Sequence, residues 1–426
     1  MIKFHPLHLE LHQEIHARPY PRIAAPCVIS HIAFYHEEKV VEQEYQSIND
    51  LAKRYHVNGI SPGTHSYFQE FEQFHMRWEN HREFSTITII RPLKKPINTG
   101  VSALEMFPEG WLKQFPGEAI SAVSLLISDE FDESMIEDYL AVRPNIASRL
   151  IDDQFTVWTS LQLDSQGFTR LFMGKNSLIE RDKGRMQLGR VVLKLLEIET
   201  YRQMALLGLP LAKSIAPIAS DLGQKCALML EKMTHISEPD EESALLQELM
   251  SIAAEVEKLR ASTNYRFAAT FAYAELVNSR IKELDQQRVE GKDPLGEFVQ
   301  RRFMPAIRTC DSVRRQLESL SKRLTRASDL LRTRVDQTIA EQNKKLLESM
   351  NRRSHIQLRL QQTVEGLSVA AISYYLISLL KIFLHGINGL FFTFNENIVL
   401  TLAAPLVLVT IFIIVRNMKK HYVDSL

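Results

Sequence analysis

Cysteine, glycine and proline are all scarce in this chain of 426 residues, and each shortage excludes a class of protein. The 3 cysteines, Cys27, Cys226 and Cys310, are far apart and odd in number, so neither a disulfide framework nor a structural zinc site is expected. Gly and Pro number 16 each, which is too few for a collagen, low-complexity or all-β chain. The 51 basic and 51 acidic residues balance, and this balance disfavours a nucleic acid as the partner.

The common catalytic motifs are also absent. The sequence contains no G-x-x-x-x-G-K-[ST] phosphate loop, no G-x-S-x-G nucleophile elbow, no H-E-x-x-H zinc motif and no G-x-G-x-x-G dinucleotide fingerprint. No secretory signal is expected, because the first residues lack a basic start followed by a long apolar run. The sequence therefore assigns no catalytic residue, cofactor or metal, and an enzyme ranks behind the other function classes.

Residues 1–180 mix strand and helix patterns. Runs of β-branched and apolar residues predict buried strands, and helical patterns lie between them. The strands are predicted over residues 27–35, 74–78, 84–90 and 119–128, and the helices over residues 37–55 and 101–114. The resulting order is β-α-β-β-α-β. We expect an α+β protein whose first 180 residues form a ferredoxin-like α/β domain.

Strand patterns stop after residue 184. A long helix is predicted over residues 239–288, with apolar residues in steps of three and four that are typical of a coiled coil. A turn at residues 290–294 reverses the chain, and a second long helix follows from Pro305. We expect a helical region over residues 185–300 and a basic stalk helix over residues 301–364, which pack together as a long helical hairpin.

The last sixty residues are far more apolar than the rest. Residues 366–384 hold one Lys, and residues 398–415 hold no charged residue. Each stretch is long enough to cross a hydrocarbon core of about 30 Å as a helix, so we expect a two-helix transmembrane hairpin over residues 365–416. The alternative is a pair of buried core helices. Residues 417–426 form a basic tail.

The charges beside these stretches predict how the hairpin is oriented. Basic residues precede the first stretch and follow the second, whereas the connecting loop has neither Lys nor Arg. The flanking basic residues are Arg352, Arg353, Arg359, Arg416, Lys419 and Lys420. The positive-inside rule therefore places both termini in the cytoplasm, with two spans in the inner membrane and the lipid bilayer as a partner.

Several motifs resemble a family of uncharacterised, membrane-anchored bacterial proteins, a domain-of-unknown-function family. They are EIHARP at residues 14–19, RWENHREF at residues 77–84, LLEIETYRQMALLGLP at residues 195–210, and QLRLQQTVEGLSVAAISYY at residues 357–375. The resemblance spans nearly the whole chain. It implies a soluble body with C-terminal membrane helices, and it implies no activity.

A second resemblance, at the level of topology, is to the CorA-type magnesium channels. Those proteins have a cytoplasmic α/β domain, a long stalk helix, two C-terminal spans and a basic tail, with Gly-Met-Asn at the outer end of the first span. This chain has Gly386-Ile387-Asn388 at that place, with Ile instead of Met. The resemblance implies an oligomeric divalent cation channel or transporter.

Two groups of residues in the N-terminal domain are candidates for ligand binding. His75, Arg77, Glu79 and His81 alternate along a predicted strand and would share one face, where they bind an anion or relay a proton. They would serve equally well as a polar sheet face with ion pairs. The second group, His16 and Arg18, belongs to a histidine-rich N-terminal stretch that presents either a metal site or a solvent-exposed face.

A polar stripe in the first predicted span forms the last candidate site. Tyr374, Ser378 and Lys381 recur at helical spacing, and Gly386 and Asn388 follow at its outer end. The stripe either packs helices together or lines a pore, and a pore requires an oligomer because two spans alone enclose none.

Two function classes follow from these features. The favoured one is a membrane-anchored scaffold, signalling or ligand-sensing protein that faces the cytoplasm. The alternative is a CorA-like cation channel. In both, we expect a homo-oligomer formed through the stalk and the membrane helices.

Overall fold

The computed structural model describes residues 4–5, 7–8, 22–36, 40–176, 181–236, 239–388 and 396–423. The chain divides into two compact units. The first comprises Met1–His235 and Leu245–Ser328, and the second comprises Ile236–Ala244 and Asp329–Leu426. The two units are described separately below. The predicted divisions at residues 185, 301, 365 and 417 remain predictions.

A nine-stranded sheet lies in the first unit, with the strand order β2-β3-β4-β1-β5-β8-β7-β6-β9. All neighbouring strands are antiparallel except β5 and β8, which are parallel. The strands are β1 (Cys27–Tyr35), β2 (Ser66–Glu70), β3 (His75–Asn80), β4 (Phe84–Pro92), β5 (Glu118–Ser128), β6 (Ile146–Leu150), β7 (Phe155–Leu163), β8 (Thr169–Lys175) and β9 (Gln286–Arg288).

The helices predicted over residues 37–55 and 239–288 are present with shifted ends. The helices of the structure are α1 (Val41–Arg54), α2 (Trp111–Gln114), α3 (Glu133–Leu140), α4 (Arg181–Leu206), α5 (Gly208–His235), α6 (Pro239–Glu283), α7 (Leu295–Asn388) and α8 (Glu396–Val423). The chain is thus a mixed α+β protein with long helices after the sheet, as the sequence predicts. Nine strands in one sheet leave the ferredoxin-like description unconfirmed.

The helix predicted over residues 101–114 is wrong. The structure has a 3₁₀ turn over Ala103–Met106 and then only the four residues of α2. Pro108 interrupts the segment because it has no N–H to donate, and Gly110 adopts a φ of 80°, which lies outside the helical region.

The ends of the two long helices also differ from the prediction. Helix α6 ends at Glu283 instead of residue 288, because Asp285 takes a positive φ of 45° and the chain then extends into β9. Strand β9 pairs with β6, so a segment from the helical region completes the sheet at its edge. Helix α7 begins at Leu295 and includes Pro305 as an internal residue.

Both faces of the sheet are buried. Alternate residues of β1 point to opposite sides, so that Ile29 joins one hydrophobic core and Val28 the other. The core on the Ile29 side includes residues of α4, α6 and the start of α7. The core on the Val28 side includes residues of α1 and α3. Most side chains of the inner strands are therefore buried, whereas residues at or near the edges of the sheet, such as Glu70 of β2 and Arg149 of β6, are exposed.

The predicted seam of α7 is buried only along its first part. In the first unit Leu317, Leu320 and Leu324 are at most 4% exposed. In the second unit Ile339 and Leu346 are 50% and 60% exposed. The coiled coil and the full helical hairpin are therefore not confirmed over the whole length of the predicted stalk.

Three helical stretches are long and apolar enough to cross a membrane: Gln187–His235, Leu295–Gly386 and Asn397–Val415. The first lies in the first unit, where residues such as Leu195, Met204 and Leu222 are buried in the core. The other two end in stretches that are almost wholly exposed.

Candidate functional site

The polar residues predicted on one strand face separate into a buried ion pair and two peripheral histidines. Arg77 and Glu79 lie on β3, and the Arg77 Nη2 donates to Glu79 Oε1 at 2.8 Å. Both residues are under 10% exposed. His75 lies 3.8 Å from the exposed Glu70, and His81 follows the end of β3 and stacks on Phe84. The structure therefore brings Arg77 and Glu79 together but does not bring the four residues into one open site.

The N-terminal candidates His16 and Arg18 lie outside the described residues. Among the residues that the structure describes, no three His, Cys, Asp or Glu side chains lie close enough together to hold a metal ion.

A buried histidine lies on the same side of the sheet as Arg77. The two ring nitrogens of His31 lie 2.8 Å from Thr88 Oγ1 and 3.0 Å from Thr200 Oγ1, so the ring joins β1 and β4 to helix α4. Burial, together with the positive charge of Arg77, lowers the pKa of His31 to about 3. The ring therefore stays neutral near pH 7, and its role is to connect elements of the fold. It is not accessible for the proton transfer that acid–base catalysis needs.

Two further ion pairs hold helix α6, one to helix α4 and one to the turn between β3 and β4. Arg280 of α6 donates to Glu197 of α4. Burial raises the pKa of Glu197, and the charge of Arg280 partly opposes that rise. Glu83, in the turn between β3 and β4, accepts hydrogen bonds from Arg266 and Tyr273. These charges are paired across elements, as buried charges have to be, and we interpret them as structural.

A buried carboxyl group occupies the opposite face of the sheet. Glu44 of α1 accepts a hydrogen bond from Trp78 Nε1 at 3.1 Å and another from the Ser85 hydroxyl, and its Oε1 lies 3.5 Å from His36 Nε2. Burial raises its pKa to about 7, although the hydrogen bonds from Ser85, Trp78 and Asn80 oppose that rise. Serine, glutamate and histidine side chains meet here, but the carboxyl group lies between the other two. This order differs from that of a nucleophile–histidine–acid triad. The Glu44 side chain is also fully buried.

A concave site of the first unit is a cavity of about 730 Å³. The loop over residues 99–113 forms one wall, and β5, α3 and the β7–β8 turn form the others. On its wall the Ser124 and Tyr139 hydroxyls lie 2.8 Å apart. Burial raises the pKa of Tyr139, which keeps its phenol neutral and able to donate a hydrogen bond. The size is that of a site for a small organic ligand.

Arg170 provides the fixed cation of this cavity. Its Nε donates to Asp164 Oδ2 at 2.8 Å and its Nη1 donates to the Tyr139 carbonyl oxygen at 3.0 Å. Burial raises the pKa of Asp164, but hydrogen bonds from the Phe168 N–H and from Arg170 outweigh it, so the net pKa lies below its usual value. Glu105, Glu109 and Lys113 also line the cavity. The lining therefore contains hydrogen-bond donors and acceptors, and side chains of both positive and negative charge.

Sequence reasoning missed this cavity because its walls come from four segments that the fold alone brings together. The one local signal was the loop that contains Gly100, Pro108 and Gly110, where a helix was predicted.

The polar stripe of the first apolar stretch is largely on the surface of the second unit. Tyr374 is 70% exposed, and Lys381 and Gly386 are also exposed. The Ser378 hydroxyl donates to the Tyr374 carbonyl oxygen at 2.8 Å and is thus satisfied within its own helix. Asn388 is the last residue of α7, and its side chain lies outside the described part.

A family model described as "Protein of unknown function (DUF3422)" matches residues 3–422. The chain therefore belongs to this family, as the motif resemblance predicts, and the family carries no established activity. The resemblance to CorA-type channels is not shown. No curated protein matches the chain, and no solved structure matches it.

The raised pKa of Glu44 predicts that stability depends on pH. An unfolded Glu loses its proton near pH 4.5, whereas Glu44 in the folded protein holds it to about pH 7. The folded state binds more protons between these values, so the free energy of unfolding should fall as pH rises from about 4.5 to about 7, by about 3 kcal/mol. Denaturant unfolding across this range measures the slope. In Glu44→Gln the slope should shrink, and in the exposed control Glu42→Gln it should persist. An equal slope in Glu44→Gln would show that Glu44 does not titrate in this way.

Proposed function

We propose that this protein is a membrane-anchored, ligand-sensing protein of the bacterial inner membrane, with its α+β unit on the cytoplasmic side. The observation that carries the proposal is the exposed apolar surface of α7 and α8. On these helices Ile382, Leu402 and Leu406 are 70%, 71% and 70% exposed. Removing each such side chain from water contributes roughly 1.5–3 kcal/mol. A continuous surface of this kind is stable in lipid and is not expected in a water-soluble helix.

The rows of basic residues support the orientation of the anchor. Arg352, Arg353 and Arg359 precede the first apolar stretch, and Arg416 follows the second. The positive-inside rule then puts both flanks on the cytoplasmic side and the loop that joins the stretches on the other. The two stretches would form a hairpin of two spans, and the helix Gln187–His235 would remain in the soluble core.

The 730 Å³ cavity supports the ligand-sensing part of the proposal. Arg170, Tyr139 and Ser124 are held by hydrogen bonds within the unit, so their polar groups are oriented before a ligand arrives. Such fixed donors and acceptors, next to apolar residues such as Leu104 and Phe107, suit a small polar metabolite better than a large hydrophobic one.

We also propose that the protein forms a homo-oligomer. The apolar side chains of Ile339, Leu346 and Met350 continue the buried seam of α7, and they are 50–60% exposed in the single chain. A second copy of the same helix would cover them as in a coiled coil. A cation channel would require such an oligomer, but no described residue specifically favours a channel.

Charged substitutions in the last apolar stretch test the anchor. We expect the full-length protein to remain in the membrane pellet after alkaline carbonate extraction. In the double variant Leu402→Arg and Leu406→Arg, each Arg adds roughly 2.5–3.5 kcal/mol to the cost of insertion, so a larger share of the chain should appear in the supernatant. The control Leu346→Arg replaces a residue with similar exposure outside the predicted spans and should stay in the pellet. A wild-type protein that is extracted completely would contradict the anchor.

Binding of polar metabolites tests the cavity. We expect a thermal-shift screen of full-length protein in detergent to find compounds that raise the melting temperature. For these compounds Tyr139→Phe should weaken binding about five- to tenfold in calorimetric titrations, because one hydrogen bond is lost. The control Tyr265→Phe removes a hydroxyl from a side chain that is 53% exposed and lies away from the cavity, and it should have no effect. Affinities unchanged in Tyr139→Phe would place the ligand elsewhere.

A further inference from the structure

A second, smaller cavity of about 240 Å³ lies on the side of the sheet that α4 covers. Its walls come mainly from three elements. Strand β7 contributes Ser160 and Gln162, helix α4 contributes Arg202, and the first turns of α7 contribute Phe298 and Arg302. Among the described residues that line it, two are arginines and none is acidic. The larger cavity differs in this respect, because Glu105, Glu109 and Asp164 line it.

Arg202 has a hydrogen-bond donor that no described residue uses. Its Nη2 donates to Glu199 Oε2 at 2.6 Å, which fixes the guanidinium group. Its Nε and the second carboxylate oxygen, Glu199 Oε1, are both buried without a partner. Glu199 is only 2% exposed, so packing holds this ion pair in place in the C-terminal part of α4. A buried N–H without an acceptor is costly. Because Arg202 also lines the cavity, a small movement of its guanidinium group would bring this N–H to an acceptor bound there.

Arg302 supplies the second positive charge. Its guanidinium carbon lies 4.6 Å from the centre of the Phe298 ring, one turn earlier on α7. Stacking on an aromatic ring restricts the guanidinium plane and leaves its N–H edge available for an acceptor. The side chain itself is exposed.

The strand that closes the cavity is irregular at this point. The pairing of β7 with β8 shifts register between Thr159 and Leu163, and Leu161 adopts a φ of 53°, which is unusual for a residue other than glycine. The three residues of this irregular stretch, Ser160, Leu161 and Gln162, all line the cavity. Strand irregularities of this kind are frequent beside functional sites because they redirect side chains.

From these four observations we propose that the cavity binds the oxoanion of a small molecule, a phosphate or carboxylate group, between Arg202 and Arg302. The oxygens of either group accept two N–H bonds from one guanidinium, which is the geometry that an arginine fork offers. The Ser160 hydroxyl and the Gln162 amide provide further polar groups along the wall. A volume of about 240 Å³ admits the anionic group with a small body and excludes a large cofactor. This site is independent of the 730 Å³ cavity.

Calorimetric titration of full-length protein in detergent tests the site with two probes, inorganic phosphate and acetate, at fixed ionic strength. We expect one or both to bind with a dissociation constant of about 1 mM or below. Saturation by phosphate alone identifies a phosphate site, and saturation by acetate identifies a carboxylate site. Arg302→Gln should weaken the binding by at least about tenfold, because one charge-assisted hydrogen bond pair is lost. Arg202→Lys keeps the charge but loses the Nε donor, and it should weaken binding to a similar degree.

The neighbouring Arg301 is a matched control, because its side chain is 64% exposed, lies on the same turn of α7 and does not line the cavity. Arg301→Gln changes the net charge by the same amount and should leave the affinity unchanged. The proposal is overturned if neither probe binds at concentrations up to about 10 mM. It is equally overturned if Arg301→Gln and Arg302→Gln weaken binding equally, since binding then reflects net charge alone. Melting temperatures of each variant verify that it is folded.

Discussion

Burial of both faces of the nine-stranded sheet is the constraint on which the first unit depends. Polar side chains that are buried on its inner strands need a partner from a covering helix, from a neighbouring strand or from their own strand. Arg77 finds Glu79, His31 finds Thr88 and Thr200, and Glu44 finds Trp78 and Ser85. The contacts of His31 with Thr200 and of Glu44 with Trp78 and Ser85 fix the positions of α4 and α1 on the sheet. They also explain why residues with catalytic side chains serve the fold here.

The two cavities lie where the elements that cover the sheet leave a gap. The larger cavity lies where a loop replaces the predicted helix, and the smaller one lies where β7 bulges against α4 and α7. In both, a guanidinium group is held by a carboxylate of its own unit, Arg170 by Asp164 and Arg202 by Glu199. A cation held in this way loses little side-chain entropy when a ligand binds, which favours recognition of polar ligands.

The sequence predicts local features of this protein better than it predicts long-range ones. The sequence predicts both ends of β1 and the C-terminal end of α1 to within one residue, because these patterns follow from neighbouring residues alone, whereas α1 begins four residues later than predicted. Strand β9 was missed, since three polar residues, Gln286 to Arg288, form a strand only because β6 offers a partner about 140 positions earlier. Both cavities were missed for the same reason. The alternation of Arg77 and Glu79 was recognised, but their burial depends on helices that begin a hundred residues later.

Insertion of the C-terminal helices with the α+β unit in the cytoplasm is the central claim, and site-directed labelling tests it most directly. The three native cysteines are buried, so a cysteine introduced on the surface reports its own exposure. Thr393→Cys lies in the predicted outer loop, and Leu163→Cys replaces a side chain of the first unit that is 66% exposed. In intact spheroplasts, a membrane-impermeant maleimide should label position 393 and leave position 163 unlabelled until the cells are lysed. Labelling of position 163 in intact spheroplasts, or labelling of position 393 only after lysis, would contradict the account.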